Sequence, residues 1–195
     1  MSERRRGGDG GFTMVELLVA ISILSVVMAL VFNALNGGVR QAADAQSRAQ
    51  IEADVRTTAD AFVRDLRQAY TGDPSLNRIA TMTANTITFY SPDRSTPFHL
   101  RMISYRLNGT DFQRSITVST DTDGFPWVFP ATSAYATQLQ YVRNTTLFTY
   151  RGSDGAVTTD PTQVAIVDLT LTVDQDTAKG PAAYTSTETV QIRGS

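Results

Sequence analysis

The chain has 195 residues, with 17 Lys+Arg against 19 Asp+Glu and a formal net charge of −2 at pH 7. It holds no cysteine and one histidine, His99, which excludes disulfide frameworks, cysteine-bound zinc or iron–sulfur clusters, thiol nucleophiles and multi-histidine metal centres. The near-neutral balance argues against a strongly basic nucleic-acid binder, and 42% hydrophobic with 18% charged residues places the chain among folded proteins.

The apolar residues are concentrated near the N-terminus. Residues 17–32 are apolar apart from Ser22 and Ser25. Counted from Phe12 to Leu35 the stretch is about 24 residues, enough helix to cross a bilayer core of roughly 30 Å. Arg4, Arg5 and Arg6 precede it, so the positive-inside rule keeps that end cytoplasmic and sends the chain after Leu35 outward. A secretory signal peptide is one reading, but the first A-x-A triplet, Ala43-Asp44-Ala45, lies far beyond the apolar run. A simple anchor is a second. The third turns on Glu16, a carboxylate at the edge of an apolar helix, where an unpaired charge costs several kcal/mol and marks function by default. A cut after Gly11 creates an α-amino group on Phe12, one helical turn from Glu16, which in an assembly can neutralise the Glu16 of a neighbour.

Gly11-Phe12-Thr13-Met14-Val15-Glu16, with the apolar run behind it, resembles the prepilin leader of type IV pilins and type II secretion pseudopilins. The resemblance is strong over about the first 35 residues. It implies that a prepilin peptidase cuts after Gly11, that Phe12 becomes the N-methylated first residue, and that Glu16 supports ordered packing of neighbouring helices. Asn33 stands where many pilins carry a helix-breaking proline.

Beyond the apolar run, Ile51, Val55, Ala59, Phe62, Leu66 and Ala69 recur at spacings of three and four among charged residues, which predicts an amphipathic helix. Thr71-Gly72-Asp73-Pro74 supplies a stop. Phe12 to Tyr70 therefore reads as one helix of about 59 residues, in which Gly37-Gly38 is either a hinge between anchor and stalk or a tolerated helix defect at the membrane surface. Arg64 and Arg67 read as solvated stalk residues.

After Pro74 the pattern changes to period two. Candidate strands are Thr86–Tyr90, Leu100–Leu107, Phe112–Ser119, Leu147–Arg151, Val164–Val173 and Thr187–Ile192, with an Asn108-Gly109 hairpin turn and a turn at Arg151–Gly155. The fold class is α+β: a long N-terminal helix, anchor plus amphipathic stalk, packed on an antiparallel β-sheet head. Phe62–Ala69, Ile87–Ser91, Ile103–Gly109 and Phe112–Arg114 together resemble the J-type minor pseudopilins and the W-type minor pilins. That implies a minor subunit.

No enzyme constellation is found. His99 sits at a strand start in Pro97-Phe98-His99-Leu100 and reads as structural. The glycines at 7–11 lack the strand–loop–helix setting of a phosphate loop, and no serine has a G-x-S-x-G setting. Asp121 and Asp123, in Asp121-Thr122-Asp123-Gly124, are the candidate cation ligands, but the rest of a calcium loop is missing and an ordinary turn accounts for them. The aromatic run Phe125–Pro130 holds the single tryptophan, Trp127, and reads as a loop tucked onto the core rather than an exposed contact.

The expected organisation is a leader at 1–11, a transmembrane or filament-core helix at 12–36, a stalk helix at 37–71 and a globular β head at 72–195. No cofactor is expected. The resemblance implies as partners prepilin peptidase, other pilins or pseudopilins, the inner-membrane assembly platform and membrane lipid. It also implies an inner-membrane protein with its head outside the cytoplasm, later placed at a filament tip, where it helps initiate or cap the filament. A tip module that binds DNA during uptake, or a surface, is the alternative.

Overall fold

The computed structural model describes residues 11, 13–121, 124, 126–175 and 183–192. They form one helix and eight strands: α1 (Met14–Leu66), β1 (Ile79–Met82), β2 (Thr86–Asp93), β3 (His99–Asn108), β4 (Asp111–Val118), β5 (Ala136–Leu139), β6 (Phe148–Arg151), β7 (Ile166–Val173) and β8 (Tyr184–Gln191). The chain divides into two compact units, Met1–Gln46 and Ser47–Ser195. The fold is α+β, as expected, with two antiparallel sheets in place of one.

In the first unit α1 is apolar and fully exposed, Leu17 to Leu35 included. Its two serines leave no hydroxyl unpaired. Ser22 Oγ donates to the Leu18 carbonyl and Ser25 Oγ to the Ile21 carbonyl, both at 2.8 Å, the back-bonding that lets a hydroxyl sit in an apolar helix. Gly37 and Gly38 lie within the helix, and open space surrounds the Cβ position of each.

In the second unit the remainder of α1 presents Ile51, Val55, Thr58, Ala59, Phe62 and Leu66 inward, the stripe expected from three-and-four spacing. Two sheets, β1-β2-β3-β4-β5 and β6-β7-β8, share one apolar cluster with this stripe. Phe62 sits at its centre. Its ring meets Tyr105 edge-on at 5.2 Å and Phe148 at 5.5 Å, and Tyr105 in turn stacks near Phe112 at 5.4 Å. Such pairs add about 1 kcal/mol each beyond area burial. Strand β7 alternates half-buried and buried along its whole length, with Val167, Leu169, Leu171 and Val173 inward.

Three expectations need correction. The helix stops at Leu66 rather than Tyr70. Gln68 N–H bonds to the Asp65 carbonyl and Ala69 N–H to the Leu66 carbonyl, tightening the last turn, and Tyr70 N–H then bonds to the Tyr90 carbonyl of β2. The chain is thus drawn off the helix by the sheet, and Gly72, at φ +62°, shapes the following turn instead of capping α1. The hairpin loop between β3 and β4 is Gly109-Thr110, closed by the Asn108–Asp111 pair. Only Gly109 has positive φ, at +63°, which matches a II′ rather than an Asn-Gly I′ turn. Strands β1 and β5 were not expected: each has four residues and pairs only on one side.

Candidate processing and assembly site

Gly11 is exposed and non-helical, and α1 begins three residues later. Thr13 starts the helix. Its Oγ1 accepts the Glu16 N–H at 3.3 Å, and its carbonyl accepts the Leu17 N–H at 3.2 Å. Thr13-x-x-Glu16 thus has the spacing of a capping box, with Glu16 at the third helical position. A helix N-terminus carries a partial positive charge, so an acid in its first turn is stabilised by about 0.3–1 kcal/mol. Glu16 is exposed, as are the apolar residues around it, and its carboxylate meets no basic group among the described residues. Phe12 lies outside the described residues. The segment therefore presents an accessible backbone at Gly11, a capped helix start, and one carboxylate at the head of an apolar surface. A cut after Gly11 leaves the helix, which begins at Met14, intact. The segment can also accept a cation at Glu16.

The other sequence candidates do not converge into a site. Asp121 Oδ2 accepts the Val128 N–H at 2.7 Å, which pins the loop after β4 back on itself. Asp123 lies outside the described residues. Among the described residues no group of three or more His, Cys, Asp or Glu side chains converges. His99 starts β3, and its Nδ1 lies 3.1 Å from the Ser119 carbonyl, to which it donates. Trp127 is half-buried with its ring 5.6 Å from Phe98, while Phe129 lies 5.4 Å from Tyr90. Residues 126–135 cover the face of the larger sheet turned away from α1. Tyr135 donates to Ser104 Oγ at 2.9 Å, Ser115 Oγ donates to the Ser133 carbonyl at 2.7 Å, and the Arg106 guanidinium stacks 3.6 Å above the Tyr135 ring. Phe125 lies outside the described residues. Arg64 and Arg67 are exposed.

A polar clamp between α1 and the larger sheet was not anticipated. Asp65 Oδ2 accepts the Tyr105 hydroxyl at 2.7 Å and an Arg114 NH2 hydrogen at 2.6 Å. Burial first, and then the Asp65 charge, push the Tyr105 hydroxyl far above its ordinary value, so it stays protonated and donates. Tyr105 and Arg114 are cross-strand partners in the β3–β4 register, so one helical carboxylate grips two adjacent strands.

Compared with known families, residues 6–32 match the prokaryotic N-terminal methylation motif. The match takes in Gly11, Phe12 and Glu16 together with most of the apolar run. No curated protein matches the chain.

Proposed function

We propose that this chain, type IV pilin- or pseudopilin-like through its N-terminal methylation motif, is a minor subunit that helps initiate or cap a type IV pilus or type II secretion pseudopilus. The motif implies processing by a prepilin peptidase and assembly with other pilins, and it points to a structural subunit rather than an enzyme. The motif and the long apolar N-terminal helix fit a subunit anchored in the inner membrane. In the proposed scheme Gly11 precedes the cut, Phe12 becomes the methylated N-terminus, and residues 12–36 pass from membrane to filament core. Residues 37–71 then form the stalk, and residues 72–195 the head outside the cytoplasm.

The observation that carries the reading is the conjunction at the start of α1. A capped helix places one carboxylate, Glu16, at the head of a wholly exposed apolar surface, within a matched methylation motif. Buried unpaired in a membrane or filament, that carboxylate costs about 3 kcal/mol. A neighbour's new amine on Phe12 offsets the cost, so Glu16 favours assembled over isolated subunits. Glu16→Ala and Glu16→Val are the test. Both should lower incorporation into filaments while the proteolytic resistance of the head is unchanged. Normal incorporation by both variants contradicts the pairing role.

A further inference from the structure

A cavity of about 490 Å3 opens in the second unit between α1 and β5, a strand that pairs on one side only. Its floor is apolar: Ile51, Leu139 and Val173 line it and are 6%, 7% and 2% exposed. Its rim is exposed and uncharged, with Thr57 on α1, Thr137, Gln138 and Gln140 along β5 and its end, and Gln175 after β7. Asp54 is the single charged residue among the described lining, and its Oδ1 accepts the Gln50 amide at 2.8 Å. Tyr141 completes the lining with φ at +61°, the only non-glycine of positive φ among the described residues. A left-handed backbone is unfavourable for tyrosine, and glycine holds the same turn without strain. The turn is fixed from both sides. The Tyr141 carbonyl accepts the Asp174 N–H at 3.1 Å, Val142 N–H donates to the Thr110 carbonyl at 2.9 Å, and Arg143 N–H donates to the Thr172 carbonyl at 2.8 Å. Strain persists where neighbours over-determine the backbone, and it gathers at ligand clamps. The core does not account for this tyrosine, which is 43% exposed. Among the described residues its hydroxyl has no hydrogen-bond partner, nor have the side chains of Thr57, Gln140 and Gln175.

We propose that this cleft binds a neutral saccharide of about two rings, a size that suits a cavity within the range of about 300–1,000 Å3 of small-molecule sites. The lining sets the chemical class. A pyranose ring has an apolar C–H face and an edge of hydroxyls. The first packs on an aliphatic floor or an aromatic ring, and the second exchanges hydrogen bonds with amides, hydroxyls and a carboxylate. Both kinds of surface are present, floor below and rim around it. No basic residue is found in the described lining, and Asp54 repels a second negative charge, so a phosphodiester or an acidic peptide finds no partner there. A wholly apolar ligand would take the rim amides from water and return no hydrogen bond. The locked backbone at Tyr141 sets the direction of its side chain before a ligand arrives, so less freedom is lost on binding. The inference is independent of the filament reading, because the cleft lies wholly within the second unit.

The test uses the full chain in a detergent without a sugar headgroup. It is titrated with maltose, cellobiose, lactose and N,N′-diacetylchitobiose, and binding is read by saturation-transfer NMR and calorimetry. At least one of the four should bind with a Kd of about 1 mM or tighter. A heparin disaccharide, of similar size but anionic, should bind about tenfold more weakly than the best of them. Tyr141→Gly removes the ring and relieves the left-handed strain, so binding should weaken about tenfold while the urea midpoint does not fall. Asp54→Asn keeps the shape of the cleft and should narrow the gap between that sugar and the heparin disaccharide to about threefold. Binding of none of the four sugars overturns the proposal, as does equal or tighter binding of the heparin disaccharide. Unchanged sugar binding by Tyr141→Gly also overturns it. A lowered urea midpoint in that variant assigns Tyr141 to the packing of the head and equally overturns it.

Discussion

Replacing Asp65 by alanine removes the acceptor of two charge-assisted hydrogen bonds at once. The Tyr105 hydroxyl at 2.7 Å and the Arg114 guanidinium at 2.6 Å both lose their partner. The Asp65 and Arg114 side chains are only 15% and 25% exposed, so water recovers little of the loss. Arg114 Nε is already buried without a partner, and the variant leaves more of the guanidinium in that state. A hydrogen bond to a charged group contributes about 1.5–3 kcal/mol, and the two share one oxygen, so the expected cost is about 3 kcal/mol rather than the sum. The assay is urea unfolding of the detergent-solubilised full chain, followed by the fluorescence of Trp127, the single tryptophan. With a denaturant slope of about 2 kcal/mol per M, the midpoint falls by about 1.5 M. Tyr105→Phe, which removes one bond to the carboxylate and leaves the ion pair, should cost about 1.5 kcal/mol. A loss below about 1 kcal/mol for Asp65→Ala refutes the clamp, whose cost depends on stranding a half-buried arginine.

Further consequences are separately measurable. Gly72→Ala should destabilise the head by about 1 kcal/mol in the same unfolding assay, because φ is +62° and the new Cβ would stand 3.1 Å from the Tyr70 ring. Stability should decline as pH rises past the ordinary tyrosine value of 10.0, because burial holds Tyr105 and Tyr150 protonated when folded while the unfolded chain releases those protons. Tyr105→Phe should flatten that decline in a pH series of unfolding midpoints. Gly37→Ala with Gly38→Ala fits without steric conflict and should strengthen the helix by about 1 kcal/mol per site, read as helicity by circular dichroism. If the pair serves as a hinge, filament incorporation falls despite the stronger helix, and unchanged incorporation removes the hinge.

Periodicity made the interior elements readable. Strand β7 alternates without interruption because the core covers one of its faces along its full length, and α1 shows its inward stripe for the same reason. Strands β1 and β5 gave no such signal. Each is a short edge strand, and three of the four residues of β5 are exposed, so no burial pattern is imposed on the sequence. The start of β8 was missed likewise: Tyr184, Ser186 and Glu188 are only half-buried, and two of the three are polar. The helix end depended on Tyr70 pairing with Tyr90, a contact between residues far apart in sequence. At the N-terminus, Glu16 stood out because a charge beside an apolar run is costly, whereas its second relation, the Thr13 cap, lay in the Thr13-x-x-Glu16 spacing. The Asp65–Tyr105–Arg114 clamp had no local signature, because it exists only once the β3–β4 register sets Tyr105 beside Arg114.

The central claim is tested most directly by mass spectrometry of the N-terminal peptide of the protein recovered from membranes. The account predicts a chain that begins at Phe12 and carries one added methyl group on its amine. A retained Met1–Gly11 segment, or a first residue anywhere other than Phe12, contradicts it.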